Sequence, residues 1–380
     1  MIINTFYDIH ISIGDIDILE PSFATQVVCK INESVFSSVP VCEISFYSSA
    51  DFLMNYPIVD GTKITIKINS KQLNINETYF FRVTRLRTIP HGSNLFFTIN
   101  GIIDFYELFR DPIKYSMFGN SSEVFANVVS ENNLQGSIHQ TNDSQLWAPT
   151  ETNLGQWLSY IAAHAWSSES SAFYWFLNKK KNLYFLDIDK LIYESKNIVK
   201  FNYGDTLATD VDDRIVRYKN LFMDIKPGDE NLFNSGYNGN NYHFDLLSYN
   251  TKHENANKVR AVSEIVNINK ELSQGLGIDF LQFDVGNHHK NFFIADAQNK
   301  RILSTFSTYL ILSCDYFRPL KLSQVSTINA SSSNSSGKEI NTMTIKYIVS
   351  QIITTITSSN ISMDVELCSQ GYNGRSTESY

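Results

Sequence analysis

Phe81-Arg82-Val83-Thr84-Arg85-Leu86 and Tyr347-Ile348-Val349-Ser350-Gln351-Ile352 present the same residue types in the same order at every position but the second. Without a gap the match runs on to Ser93-Asn94-Leu95-Phe96-Phe97 against Ser359-Asn360-Ile361-Ser362-Met363, and Ile99 then meets Val365. Alternation on both sides of a Ser-Asn pair describes a hairpin, because successive side chains of a strand point to opposite faces and Ser and Asn suit turns. Alternation alone is cheap, so the weight falls on the shared turn and the equal spacing. A further strand precedes each copy, read as Ile64-Thr65-Ile66 in the first and Leu320-Lys321-Leu322 in the second. Two β modules of similar build are therefore expected near the two ends of the chain.

Working outward, residues 1–105 alternate throughout: Phe6, Ile9, Ile11 and Ile13 form one run, Val41 to Phe46 another, and Ile64, Ile66 and Ile68 a third, behind an Asp60-Gly61 turn. Several short strands broken by turns predict a compact antiparallel barrel or sandwich. Residues 106–205 read as a helix and hairpin module. Ser121 or Ser122 caps a short helix, and Asn153 with Gln156 at N3 opens a better one whose apolar stripe is Leu154, Trp157, Leu158, Ile161, Ala162 and Ala165. Ala172 to Leu177 and Leu183 to Leu186 make a hairpin around Lys179-Lys180-Lys181, read as a solvated turn. Residues 206–305 read as irregular, with a mobile Asn/Gly-rich loop at 231–241 and a helix from Phe292 to Leu303. Strands resume at Thr308, and 306–380 form the second barrel, with strands from 206–305 available to complete it. Ser331 to Lys338 reads as a polar loop between strands. The expected class is β-rich α+β: two similar small antiparallel β-barrels plus a mixed helix/hairpin module.

The 380 residues carry 31 Lys+Arg against 39 Asp+Glu, a net charge of −8. That balance argues against a sequence-independent nucleic-acid binder, whose affinity comes from neutralising phosphates. Aromatics at 13 % against charges at 18 % argue against disorder. No apolar run is long enough for a membrane span, and the N-terminus has no signal-peptide pattern. Cys29, Cys42, Cys314 and Cys368 are too far apart for a CxxC motif and read as core residues of a reducing compartment, with a Cys29–Cys42 bridge left open.

Motifs for chemistry are missing or weak. There is no GxSxG elbow, phosphate loop or dinucleotide motif, and Gln274-Gly275-Leu276-Gly277 is too short to count. His288-His289, read on a strand, would point to opposite faces and not chelate one ion. His164 sits at the border of the helix stripe. Asp210, Asp212 and Asp213 open like a calcium loop but lack its Gly and Glu. Asp187 and Asp189 read as caps for a helix starting near Lys190. Trp147, Trp157, Trp166 and Trp175 cluster in one module, which suits core packing better than a sugar platform. No catalytic, cofactor-binding or metal residue is assigned, and interface residues are not identifiable from alternation alone.

The middle module resembles a known family. Leu146-Trp147, Thr152 to Ile161, the aromatic Phe173-Tyr174-Trp175-Phe176 and Tyr184 to Asp189 are similar in order to the central hub protein of contractile phage-tail baseplates and to the amino-terminal part of type VI secretion spike proteins. The ending, Tyr347 to Ile352 through Ser359-Asn360 to Ile361–Leu367, is similar too. The resemblance implies two barrels per subunit, a homotrimeric ring approximating sixfold symmetry, and no enzymatic activity or cofactor. Its implied partners are a tail spike, which in some systems bears a lysozyme, the tail tube protein and other baseplate proteins. Its implied place is the virion tail, assembled in the host cytoplasm. The net negative charge would then keep DNA from the ring's channel. Competing readings are the hub of a phage-tail-like injection system, a β-rich glycan hydrolase using unidentified carboxylates, and a carbohydrate-binding tail protein.

Overall fold

The computed structural model of the chain describes residues 7–71, 74–105, 107–110, 116–148, 153–204, 214–225, 240–245, 250–255, 280–284, 288–292, 294–296, 298–299, 306, 308–315, 320–329, 331–333, 339–341 and 346–369. The first module comprises β1 (Asp8–Ile13), β2 (Ile16–Asp17), β3 (Thr25–Ser34), β4 (Ser37–Ser48), the one-turn α1 (Phe52–Asn55), β5 (Lys63–Ser70), β6 (Ile75–His91) and β7 (Asn94–Ile103). Its strands lie antiparallel in the order β3-β4-β7-β6-β5-β1-β2. The predicted alternation forms its core: Ile9, Ile11 and Ile13 stand opposite Ile68, Ile66 and Ile64, and all six are buried. Gly61 takes φ +79°, the left-handed turn geometry that only glycine adopts without strain. Phe6 lies outside the described residues.

The middle module contains α2 (Glu107–Arg110), β8 (Met117–Gly119), α3 (Ser121–Glu131), β9 (Gly136–Ile138), β10 (Gln145–Trp147), α4 (Leu154–His164), β11 (Phe173–Leu177), β12 (Leu183–Asp187) and α5 (Ile188–Glu194). Asn153 caps α4 as its sequence predicts, accepting from the Gln156 N–H at 3.0 Å. The cap of α3 is Asn120, not Ser121 or Ser122. Those serines are buried in the first turn instead, where Ser121 donates both its N–H and its hydroxyl to Asp143. Asp187 is the N-cap of α5, accepting from the Asp189 N–H, so that helix starts two residues earlier than expected.

Strand β11 is apolar at every position because it is a wall between two cores. Phe173, Trp175 and Leu177 belong to the core of the first barrel and helices, whereas Tyr174 and Phe176 belong to the core of the second barrel. A strand buried on both faces loses its alternation.

The remaining strands are β13 (Ile198–Tyr203), β14 (Ile215–Ile225), β15 (Asn240–Asp245), β16 (Asn250–Asn255), β17 (Phe280–Asp284), β18 (Thr308–Asp315), β19 (Val325–Asn329), β20 (Ser331–Ser333), β21 (Glu339–Asn341), β22 (Tyr347–Thr357) and β23 (Ile361–Ser369). Six of them close a barrel in the order β19-β13-β14-β18-β23-β22, returning from β22 to β19. It is antiparallel except at β13, which arrives from the middle module and runs parallel to both β14 and β19. Two readings change here. The supposedly irregular stretch after 206 contains the eleven-residue β14, and the supposed loop at Ser331–Lys338 opens as β20, paired with β21. Most of the 231–241 loop, Asp210 to Asp213 and Gln274 to Gly277 lie outside the described residues. The expected helix has helical geometry at 292, 294–296 and 298–299.

The repeat holds at the level of single hydrogen bonds. In the first copy Val83 pairs with Gly101 and Arg85 with Asn100, so Thr84 is bulged out. In the second Val349 pairs with Leu367 and Gln351 with Glu366, so Ser350 is bulged out at the matching place. Each bulged hydroxyl donates across the hairpin to the matching carbonyl, Thr84 to Asn100 at 3.2 Å and Ser350 to Glu366 at 3.1 Å. Such bulges turn a strand and fix its register. The strand preceding the second hairpin is β19, not Leu320–Leu322: Gly61 and Ser323 both donate to the bulge-side valine carbonyl, of Val83 and Val349 respectively, so Val325 matches Lys63. Ser323 takes φ +61° where the first copy has glycine.

Candidate functional site

The residues weighed for chemistry are absorbed into packing. All four tryptophans are buried, and the indole N–H groups of Trp147, Trp157 and Trp175 donate to Gly119 O, Ala148 O and Ser159 Oγ. A sugar platform needs exposed ring faces, so these four do not supply one. His288 and His289 lie in a loop, not a strand, and both rings meet Phe292, on which His164 also stacks. Burial lowers the pKa of His289. Among the described residues no cluster of three His, Cys, Asp or Glu could hold a metal ion. The four cysteines are buried free thiols, which settles the Cys29–Cys42 question, and burial pushes Cys29 and Cys314 up to about 12. No described helix is long and apolar enough to cross a membrane.

Buried carboxylates are likewise satisfied as structural acceptors. Asp187 takes hydrogen bonds from Ala172 N–H, Ser167 Oγ and Asp189 N–H, and burial raises its pKa to about 6. Glu33 and Glu77 line one cavity of about 260 Å³ between the barrels and the β11–β12 hairpin. They meet the supposedly solvated lysines. Lys179 lies 3.0 Å from Glu33, with side chains only 14 % and 5 % exposed, and its N–H donates to Glu33 at 2.8 Å. Lys180 Nζ lies 2.8 Å from Glu77, which also accepts from the Tyr79 hydroxyl. An ammonium on each carboxylate makes this a clasp docking the hairpin on the first barrel, rather than an acid–base pair. Sequence reading missed it because its partners are more than a hundred residues apart.

What remains for partners is strand edge and exposed apolar surface. Within the chain the two barrels join edge to edge, as residues 351–357 of β22 pair antiparallel with residues 28–34 of β3. Beyond Arg82, β6 has β7 on one side and no described strand on the other. Beyond Tyr218, β14 has β18 on one side and no described strand on the other. Both edges carry exposed apolar side chains, Ile89 at 42 % and Phe222 at 62 %. A third exposed pair, Phe118 and Leu146, stands directly opposed on β8 and β10. The sequence signal for the first edge is the loss of clean alternation at Arg85-Leu86-Arg87-Thr88-Ile89-Pro90.

No family model and no curated protein matches the chain. Solved structures do. The tail protein from Neisseria meningitidis MC58 superposes with a TM-score of 0.56 at 9 % identity, over 96 % of this chain and 96 % of that one. The 43 kDa tail protein of prophage MuSo2 from Shewanella oneidensis superposes with a TM-score of 0.56 at 9 % identity, over 95 % of this chain and 98 % of that one. End to end, the chain has the fold of these phage tail proteins.

Proposed function

We propose that the chain is a structural hub of a contractile phage-tail baseplate, a homotrimeric ring that joins a trimeric spike to a hexameric tail tube. The observation that carries this is the duplicated hairpin with its matched bulge hydroxyls. Two equivalent barrels in each of three chains offer six equivalent modules to the tube, while the ring keeps threefold symmetry for the spike. The full-length likeness to phage tail proteins supports the setting. It also favours a non-enzymatic role, as does the use of the buried carboxylates as caps and clasps. Implied partners are other copies, the spike with or without an attached lysozyme, the tube protein and neighbouring baseplate proteins; the implied place is the tail of the virion, assembled in host cytoplasm. The same ring would serve a phage-tail-like injection system, whose mechanical task is identical. Electron microscopy of the purified protein tests the proposal: class averages should show a ring of six lobes that seats end-on on tubes of the cognate tube protein. Averages without such rings, or rings indifferent to the tube, would overturn it.

A further inference from the structure

We infer that the cavity of about 260 Å³ between the barrels and the β11–β12 hairpin is a binding site for a small organic carboxylate with a short apolar tail. The inference goes beyond the ring reading and does not rest on it, since the described lining comes from a single copy. Phe176, Leu320, Leu322, Ile352 and Met363 make part of the lining apolar, while Asn178, Asn182 and Tyr184 join the clasp residues in the polar part. Apolar walls with a few polar groups are how proteins hold small ligands. The volume is that of roughly nine waters at about 30 Å³ each, which suits a molecule of about eight heavy atoms rather than a stretch of another chain.

The polar groups of this cavity are unequally used, and the imbalance defines the ligand. Every carboxylate oxygen is taken: Glu33 accepts from the Lys179 ammonium and N–H, and Glu77 from the Lys180 ammonium and the Tyr79 hydroxyl. Donors are left over. Asn178 Oδ1 accepts the N–H groups of Lys180 and Asn182, each at 2.9 Å, which fixes the amide's orientation and leaves its Nδ2 without an acceptor among the described residues. Asn182 bonds only through its backbone, and the Tyr184 hydroxyl has no described partner although its ring stacks on Phe176 at 4.9 Å. Charge is unequal in the same sense. The described lining holds three ammonium groups, of Lys179, Lys180 and Lys321, against two carboxylates, and Lys321 meets no acid among the described residues. One added carboxylate neutralises the set and accepts from the idle donors, and partial burial strengthens both effects. An ammonium in its place would add a fourth cation where the acceptors are already engaged, and burying it unpaired is costly. The cavity also has an approach suited to an anion. Lys180 and Asn182 line, together with Arg82 and Lys181, an open cleft of about 880 Å³. Asp104 holds Arg82 at 2.7 Å, whereas no described carboxylate meets Lys181. The half-exposed Lys180 side chain therefore borders both spaces, and its swing away from Glu77 would admit the ligand.

The test is thermal unfolding of the full chain at neutral pH and constant ionic strength, titrated with hexanoate, hexylamine and 1-hexanol, which share a tail and differ in the head group. A ligand that binds only the folded state raises Tm as its site fills. The expected result is a saturable rise with hexanoate, half-complete at a concentration roughly tenfold or more below that of either other compound. Lys321→Ala, at an exposed side chain, should raise the half-saturating hexanoate concentration about tenfold. Met363→Trp should fill the cavity and abolish the response, and Tyr184→Phe, which removes only a hydroxyl, should weaken it several-fold even if the tryptophan variant does not fold. No saturable response to hexanoate, or equal responses to the three head groups, would overturn the site. So would a hexanoate response unchanged by Lys321→Ala and Tyr184→Phe, or one that survives Met363→Trp with native circular dichroism. Each of these results leaves the ring reading as it stands.

Discussion

Replacing Lys179 by Met should destabilise the protein by about 3 kcal/mol at neutral pH, an order of magnitude worked from the clasp. Glu33 is 5 % exposed and has two donors from one residue, the Lys179 ammonium at 3.0 Å and the Lys179 backbone N–H at 2.8 Å. Removing one partner of a buried pair costs roughly 3–5 kcal/mol, because the other charge stays buried without compensation. The lower end applies, since the backbone donor survives and methionine keeps most of the packing. The ammonium's contact with the Tyr79 ring, 5.4 Å from its centroid, is lost as well. Equilibrium urea unfolding measures the difference, and the double variant Glu33→Gln/Lys179→Met should recover about half of it by removing the stranded charge. A single variant within 0.5 kcal/mol of wild type would refute the reasoning, and would return these lysines to the solvated turn that their sequence suggests.

The bulge hydroxyls separate by burial: Ser350→Ala, at a buried site, should cost about 1–2 kcal/mol in the same assay, and Thr84→Ala, at an exposed one, about 0.5 kcal/mol or less. Gly101→Ala should cost about 1–3 kcal/mol, because the added Cβ meets Cys42 Sγ at 2.8 Å, Ile64 Cδ1 at 2.9 Å and Arg82 O at 3.1 Å; Ile64→Val in the same chain should return part of it. For Asp187 the folded-state pKa, about 6, lies above the unfolded value, so its charge lowers stability above pH 6 and the cost vanishes below about pH 4. The stability of Asp187→Asn relative to wild type should therefore rise across that window by up to roughly 3 kcal/mol, read by unfolding at each pH.

Much of this fold is legible because its strongest signals are local. The Ile64-Ile66-Ile68 alternation, the Asn153 cap and the Ser359-Asn360 turn each specify their element within a few residues, and the constant offset between the two hairpins ties distant parts of the chain together. Failures arise where geometry depends on residues far away. Leu320-Lys321-Leu322 alternates like a strand, yet the strand begins at Val325, because the turn there is made by Ser323 in a left-handed conformation that glycine would have announced. Strand β13 closes the second barrel only through β19, more than a hundred residues further on. Lys179 looks solvated until Glu33 is brought to it. The edges of β6 and β14 that have no described neighbour are hidden for a related reason: a strand's own residues do not say which of its sides is paired.

The central claim is tested most directly by the solution mass of the purified chain, measured by light scattering across a dilution series. The account predicts a mass near three times 43.4 kDa that persists on dilution. A mass of 43.4 kDa at every concentration would contradict it.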